Sequence, residues 1–214
     1  MSHPGRSGRI TTRPYNRAVS AIIEIPELHR YTIAEYHRLL DSDGIDQDAR
    51  VELIDGLVFD MGTRSPEHEK AVDWLVDWVF AHLDRDRYWH RAGAPLTLAG
   101  SEPEPDLAIV QRPGPPASHP TEAALVVEVA LSSHDRDLRL KPAVYAPYVP
   151  EYWVIDLQRR LVVVHRNPHG STYRSVTVAS DGEAITARSV ELGTIPTEAL
   201  FAAAFDEPAA GAGR

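Results

Sequence analysis

The chain contains no cysteine, so disulfide bonds and thiolate metal sites are excluded. Long hydrophobic runs are also missing, and none approaches the roughly 20 residues that a membrane-spanning helix requires. Residues 1–17 include arginines but no apolar stretch, so they do not resemble a secretory signal, and we expect a cytoplasmic protein. The serine-hydrolase motif G-x-S-x-G, the zinc-protease motif H-E-x-x-H and a glycine-rich phosphate loop are absent as well.

Lysine is scarce, with Lys70 and Lys141 as the only two in the chain. The formal net charge of −9 argues against a nonspecific nucleic-acid coat protein and suits a site that collects carboxylates for a divalent ion. Residues 1–23 nevertheless carry four arginines and no acidic residue. We interpret residues 1–25 as a flexible basic tail, either a solvated leader or an arm that contacts phosphates.

The 214 residues contain no internal repeat and no interior linker long enough to divide them. We expect a single domain over residues 26–205, followed by a flexible tail over 206–214. Helical spacing and capping signals predict four helices, at Ile33–Leu40, Pro66–Leu83, Arg136–Tyr145 and Pro196–Phe205. Short apolar or alternating runs predict nine strands, at Val51–Ile54, Leu57–Met61, Tyr88–Arg91, Ala94–Leu98, Asp106–Gln111, Ala124–Leu131, Glu151–Asp156, Arg160–His165 and Thr172–Val178.

This element order predicts an α/β (α+β) fold, with a mixed β-sheet flanked by helices. Residues 112–120 are rich in proline, and we expect them to form a surface loop. Trp74 and Trp78 lie four residues apart on a helical stripe and are assigned to the core, as are Tyr152 and Trp153.

An acidic residue inside a buried strand is the most informative feature. Glu128 interrupts the apolar run Ala124–Leu131, where a carboxylate is costly unless it is paired. Asp106 opens the preceding apolar segment, and Lys141 follows Glu128 by thirteen residues. Two carboxylates from adjacent strands can bind Mg²⁺, and a nearby lysine can orient a nucleophile or stabilise a phosphoryl transition state. These are the parts of a metal-dependent phosphodiesterase, although such a triple alone is a weak signal.

The segment from Glu128 to Asp156, with Pro105-Asp106 and residues 51–68 upstream, resembles the Uma-type putative restriction endonucleases. These are a branch of the PD-(D/E)XK nuclease superfamily, and the resemblance covers roughly Tyr31–Leu200. It implies a restriction-endonuclease-like fold in which a proline-aspartate and an E-x-K share a metal site. Here Ala130 stands where the motif lysine is expected. The branch is known for a displaced lysine in a D-x-x-x-K arrangement, which Asp137 and Lys141 match.

The resemblance also implies roles for individual residues. Glu52, Asp106 and Glu128 are expected to hold Mg²⁺ or Mn²⁺, and Lys141 to assist the attacking water. His68 is expected to contact the substrate or a water on the metal. Two departures stand out: Ser132-Ser133 replaces the usual Ser-Pro, and Pro142 disfavours helical geometry at the lysine.

The leading hypothesis is therefore an Mg²⁺- or Mn²⁺-dependent endonuclease that acts on DNA. A non-catalytic module that keeps the fold and binds nucleic acid or a protein is the main alternative. A metallohydrolase for another phosphoester is the third hypothesis. By analogy with nucleases that cut both strands, a homodimer is also expected.

Overall fold

The computed structural model describes residues 28–42, 44–46, 48–112, 118–131 and 135–206. The predicted basic tail, residues 207–214 of the C-terminal tail, residues 113–117 of the proline-rich loop and Ser132-Ser133 lie outside these ranges. No helix in the described ranges is both long and apolar enough to cross a membrane.

A six-stranded mixed sheet forms the centre of the molecule, in the spatial order β3-β4-β5-β6-β7-β8. Its strands are Tyr88–Ala92 (β3), Leu107–Gln111 (β4), Leu125–Ala130 (β5), Glu151–Asp156 (β6), Leu161–His169 (β7) and Thr172–Ser180 (β8). Only β5 and β6 run parallel, because a helical crossover joins them, and all other neighbours are antiparallel. Two small antiparallel sheets complete the strands: β1 (Val51–Ile54) with β2 (Leu57–Asp60), and β9 (Ala184–Thr186) with β10 (Thr194–Pro196).

Four α-helices accompany the sheet, at Ile33–Asp41 (α1), Pro66–His82 (α2), Lys141–Tyr145 (α3) and Thr197–Phe205 (α4). A π-helical turn, Arg136–Leu140, leads directly into α3. The predicted capping box at the start of α1 is present in both halves, between Thr32 and Glu35. Ser65 caps α2 by accepting a hydrogen bond from the backbone N–H of His68, and Pro66 occupies the first turn.

The central sheet is covered on both faces, and its two parallel strands, β5 and β6, are buried along their whole length. One core contains Trp153 together with side chains of α2 and α4. The other contains Tyr145, Tyr152 and Ala130. Because side chains alternate along β5, Glu128 points to the same face as Ala130, toward the second core. The mixed sheet flanked by helices confirms the predicted fold class.

The structure differs from the predicted strands in three places. Ala94–Leu98 is not a strand, because the chain turns at Gly93 (φ +53°), and only Leu98 forms a bridge, with Ser101. The sheet of β9 and β10 was missed because each strand has only three residues. Strand β7 continues through Pro168, which pairs only with β8 since β6 ends its pairing at Arg166. The missing N–H of that proline therefore interrupts no pairing with β6.

Candidate active site

A cavity of about 270 Å³ lies where β5 ends and β4 begins, bounded also by the β1–β2 hairpin, the N-terminus of α2 and the π-helical turn. Leu107 pairs with Val127 in the antiparallel register, which places Asp106 opposite Glu128. The cavity is lined by all five residues that the sequence predicted for the site, namely Glu52, His68, Asp106, Glu128 and Lys141. The fold thus brings the predicted residues together.

The ammonium of Lys141 lies among three carboxylates. Its Nζ is 2.9 Å from Glu128 Oε1, 3.1 Å from Glu52 Oε2 and 3.4 Å from Asp137 Oδ1. The lysine is only 3% exposed, so these ion pairs are shielded from water. Tyr145, one helical turn after Lys141, donates its hydroxyl to Glu128 Oε1 at 2.9 Å. Asp137, which lies in the first turn of the helix predicted at Arg136–Tyr145, is a buried member of this network.

Lys141 lies at the C-terminal end of the π-helical turn, where the backbone departs from α-helical geometry. The N–H of Lys141 bonds to the carbonyl of Arg136, five residues back. In the same pattern the carbonyl of Asp137 would accept from residue 142, but Pro142 has no N–H. The hydroxyl of Tyr152 on β6 donates to that carbonyl instead, at 2.8 Å. Pro142 therefore does not prevent Lys141 from reaching the site, because the distorted turn accommodates it.

Asp106 is held by two donors. His68 Nε2 lies 3.1 Å from Asp106 Oδ2, and the backbone N–H of Val129 donates to the same oxygen at 2.8 Å. Burial opposes ionisation of this carboxyl, but the hydrogen bond and charge of His68 and the bond from Val129 outweigh burial and lower the pKa of Asp106. The Nδ1 of His68 is buried and has no hydrogen-bond partner among the described residues.

The pKa values of Glu128 and Lys141 are shifted in the opposite direction. Burial raises the pKa of Glu128 well above its usual value, and the negative charges of Asp137, Asp106 and Glu52 add to the shift that Lys141 opposes. Burial by itself would lower the pKa of Lys141, but Glu128, Asp137 and Glu52 raise it above its ordinary value. Lys141 is therefore charged at neutral pH and acts as a donor and a positive charge.

Glu52 connects the network to the π-helical turn. Its Oε1 forms an ion pair with Arg136 at 3.1 Å, and the residue is only 1% exposed. Its Oε2 faces the ammonium of Lys141 but receives no hydrogen bond from the described residues. This oxygen is therefore in an ion pair without accepting a hydrogen bond, and it keeps lone-pair capacity for a further donor.

The cavity offers the carboxylates of Glu52, Asp106 and Glu128, and one Glu52 oxygen accepts no hydrogen bond from the described residues. Carboxylate oxygens suit a hard, oxygen-preferring cation. In their present arrangement, no three acidic or histidine side chains of the described residues are grouped closely enough to hold a metal ion. The ammonium of Lys141 already forms ion pairs with both Glu52 and Glu128. The metal-binding roles of Glu52, Asp106 and Glu128 stay predictions.

The sequence reasoning missed several residues that line or support the cavity. Arg50, Arg64 and Arg136 line it, and each forms its ion pair with an acidic residue that is distant in sequence, Glu104 or Glu52. Tyr145 could have been found from its spacing, since a residue four positions after Lys141 on a helix shares its face.

Comparisons with known proteins agree with this architecture. The model of the Uma2 family, described as "Putative restriction endonuclease", matches residues 33–197. The crystal structure of a putative nuclease belonging to DUF820 from Anabaena variabilis ATCC 29413 has a similar fold. Its TM-score is 0.64 at 14% sequence identity, and the match covers 81% of this chain and 98% of that chain. No curated protein sequence matches significantly. Because the family model spans well over half of the chain, this protein belongs to the Uma2 family of restriction-endonuclease-like proteins.

Proposed function

We propose that this protein is a metal-dependent endonuclease that hydrolyses phosphodiester bonds, with DNA as its substrate. The observation that carries the proposal is the placement of Lys141 within 3.1 Å of both Glu52 and Glu128 in a cavity that Asp106 also lines. Buried carboxylates and a buried lysine at one sheet edge are costly for stability, and a catalytic role explains their presence. Membership of the Uma2 family supports the same activity.

Glu52, Asp106 and Glu128 are the residues that would hold Mg²⁺ or Mn²⁺. Such an ion would neutralise phosphate charge and make a water more acidic. Because the ammonium of Lys141 contacts the same oxygens, Lys141 competes with the ion for Glu52 and Glu128.

The protein's own side chains supply positioning and charge. Lys141 Nζ provides donors and a positive charge for the negative charge that develops on a phosphoryl group. The hydrogen bond that His68 Nε2 donates to Asp106 fixes the ring of His68, whose other nitrogen is left for a substrate or water. Tyr145 and Lys141 together orient Glu128, since both donate to its Oε1.

Cleavage of supercoiled plasmid by the purified protein tests this proposal. We expect nicking or linearisation with Mg²⁺ or Mn²⁺, and loss of both in Asp106→Asn and Lys141→Ala. Asp73→Asn, an exposed carboxylate on α2 outside the cavity, is the matched control and should cut like the wild type. Metal-dependent cutting that survives in Asp106→Asn would contradict the assignment of the site. Hydrolysis of a small phosphodiester without cutting of plasmid would indicate a metallohydrolase for another phosphoester.

A module that binds nucleic acid without cleaving it is the second candidate. The observation that favours it is the ammonium of Lys141, which already neutralises the carboxylates that an ion would need. DNA binding by a protein that leaves plasmid intact and shows no calorimetric metal binding would support this candidate. A homodimer stays a prediction, and sedimentation of the purified protein would test it.

A further inference from the structure

Two arginines line the cavity and share a single acidic partner. Arg50 lies directly before β1, and Arg64 lies directly before Ser65, the cap of α2. Arg50 Nη2 is 3.2 Å from Glu104 Oε1, and Arg64 Nη2 is 3.6 Å from the same oxygen. Among the described residues, one carboxylate therefore serves two guanidinium groups in this arginine pair, Arg50 and Arg64.

The arginine pair is exposed enough to contact a ligand from solvent. The side chains of Arg50 and Arg64 are 36% and 34% exposed, whereas the carboxylate they share is 26% exposed. By contrast, Arg136 is committed to the buried carboxylate of Glu52. The arginine pair is therefore the accessible cationic part of the cavity.

The backbone makes room for this arrangement at Gly93. A Cβ atom at this position would lie 2.9 Å from Arg64 Nη2, so any larger residue would displace the guanidinium. Gly93 also has a positive φ of +53°, which other residues rarely adopt. The position of Arg64 at the cavity thus depends on a glycine from another segment of the chain.

The charge of the cavity differs from that of the whole protein. Its lining includes four acidic residues and four arginine or lysine residues, although the chain as a whole has a net charge of −9. The lining is therefore balanced in charge where the chain as a whole is acidic, and the exposed guanidinium groups of Arg50 and Arg64 offer a place where a phosphate can bind.

We infer that Arg50 and Arg64 bind a backbone phosphate of the nucleic-acid substrate, adjacent to the phosphate that is cleaved. Guanidinium groups offer paired donors that match phosphate oxygens, and a phosphate replaces Glu104 as the partner of the arginine pair. The N-terminus of α2, which follows Arg64 immediately, adds favourable dipole charge. This inference rests on the proposed function for the identity of the substrate.

Fluorescence anisotropy with a labelled DNA duplex, recorded in EDTA over a series of salt concentrations, tests the inference without cleavage. Each phosphate contact contributes about 0.9 to the slope of log K against log salt concentration. We expect Arg50→Gln and Arg64→Gln each to weaken binding several-fold and to make this slope shallower. We expect Glu104→Gln to tighten binding, because it releases both arginines, and a purely structural role for Arg50 and Arg64 does not predict that gain.

Arg174→Gln is the matched control, since it removes the same charge from an exposed position on β8 that does not line the cavity. Binding by Arg50→Gln and Arg64→Gln that equals binding by Arg174→Gln would overturn the inference, as would a wild-type protein without affinity for DNA or RNA duplexes. Preference for the RNA duplex, with the same dependence on both arginines, would keep the contact and change the substrate. The plasmid assay separates the two proposals. DNA binding that depends on both arginines, without cleavage of plasmid, refutes only the nuclease. Cleavage of plasmid together with DNA binding that does not depend on the arginines refutes only the phosphate contact. Unchanged thermal unfolding of each variant shows that binding is compared between folded proteins.

Discussion

Replacing Lys141 with methionine tests the buried ion network directly. Methionine keeps an unbranched chain of similar length and removes the charge. Three carboxylates then lose the cation that lies within 3.4 Å of each of them. Because Lys141 is 3% exposed, water cannot readily replace it.

Removing one partner of a buried ion pair costs about 3–5 kcal/mol, because the remaining charge is left uncompensated. We expect a loss of that size in the free energy of unfolding at neutral pH. Part of the loss should be recovered at lower pH. Without Lys141 the pKa of Glu128, already raised by burial, rises further, so the folded protein binds a proton more tightly than the unfolded chain. The stability of the variant should therefore increase as the pH falls toward the ordinary pKa of a glutamate.

Urea unfolding of the wild type, Lys141→Met, Glu128→Gln and the double variant measures the coupling between the two residues. Glu128→Gln leaves Lys141 with Glu52 and Asp137, so its cost should be smaller than that of Lys141→Met. The double variant should be more stable than the sum of the single losses predicts, by about 1–3 kcal/mol. Additive losses, or a loss below about 1 kcal/mol in Lys141→Met, would refute the view that the ammonium neutralises this cluster.

Three further predictions concern the metal, the π-helical turn and a buried histidine. Calorimetry should show tighter Mn²⁺ binding to Lys141→Met than to the wild type, because the competing ammonium is gone; equal or weaker binding would exclude competition. Tyr152→Phe leaves the carbonyl of Asp137 without its donor and should cost about 1–3 kcal/mol in urea unfolding, whereas an unchanged midpoint would deny the hydroxyl this role. Burial lowers the pKa of His165 to about 4, so the unfolded chain binds a proton first and stability falls as the pH drops from about 6.5 to 4. His165→Gln should show a smaller fall over that range, and an unchanged pH dependence would contradict the assignment.

Much of the fold could be predicted because local signals agreed with the tertiary structure. The capping box at Thr32, the Ser65-Pro66 helix start and the valine-rich run around Glu128 each specify an element without help from distant residues. The prediction of a strand at Ala94–Leu98 was wrong because the apolar residues of this segment are buried by packing in the second core and not by strand pairing. A short run of apolar residues predicts burial, but it does not show whether the backbone is a strand or a loop.

The candidate site was predictable in its residues and unpredictable in its arrangement. A lone acid in a buried strand indicated that Glu128 needs a partner, and the spacing of Asp137 and Lys141 supplied one. In the π-helical turn before Lys141, the carbonyl of Asp137 accepts a hydrogen bond from the hydroxyl of Tyr152 on β6. The local sequence around Pro142 does not predict this contact. The sharing of Glu104 by two arginines likewise depends on tertiary contacts over more than 35 residues of chain.

Ala130 makes the position of the lysine difficult to reverse. This residue is completely buried in the second core and is opposite Asp156 in the parallel register of β5 and β6. A lysine introduced there would have to bring its charge into space that apolar side chains already fill. Moving the lysine from the helix back to the strand would therefore require the core to be repacked at the same time. A lysine on the helix and a lysine on the strand are therefore not exchangeable by substitution at positions 130 and 141 alone.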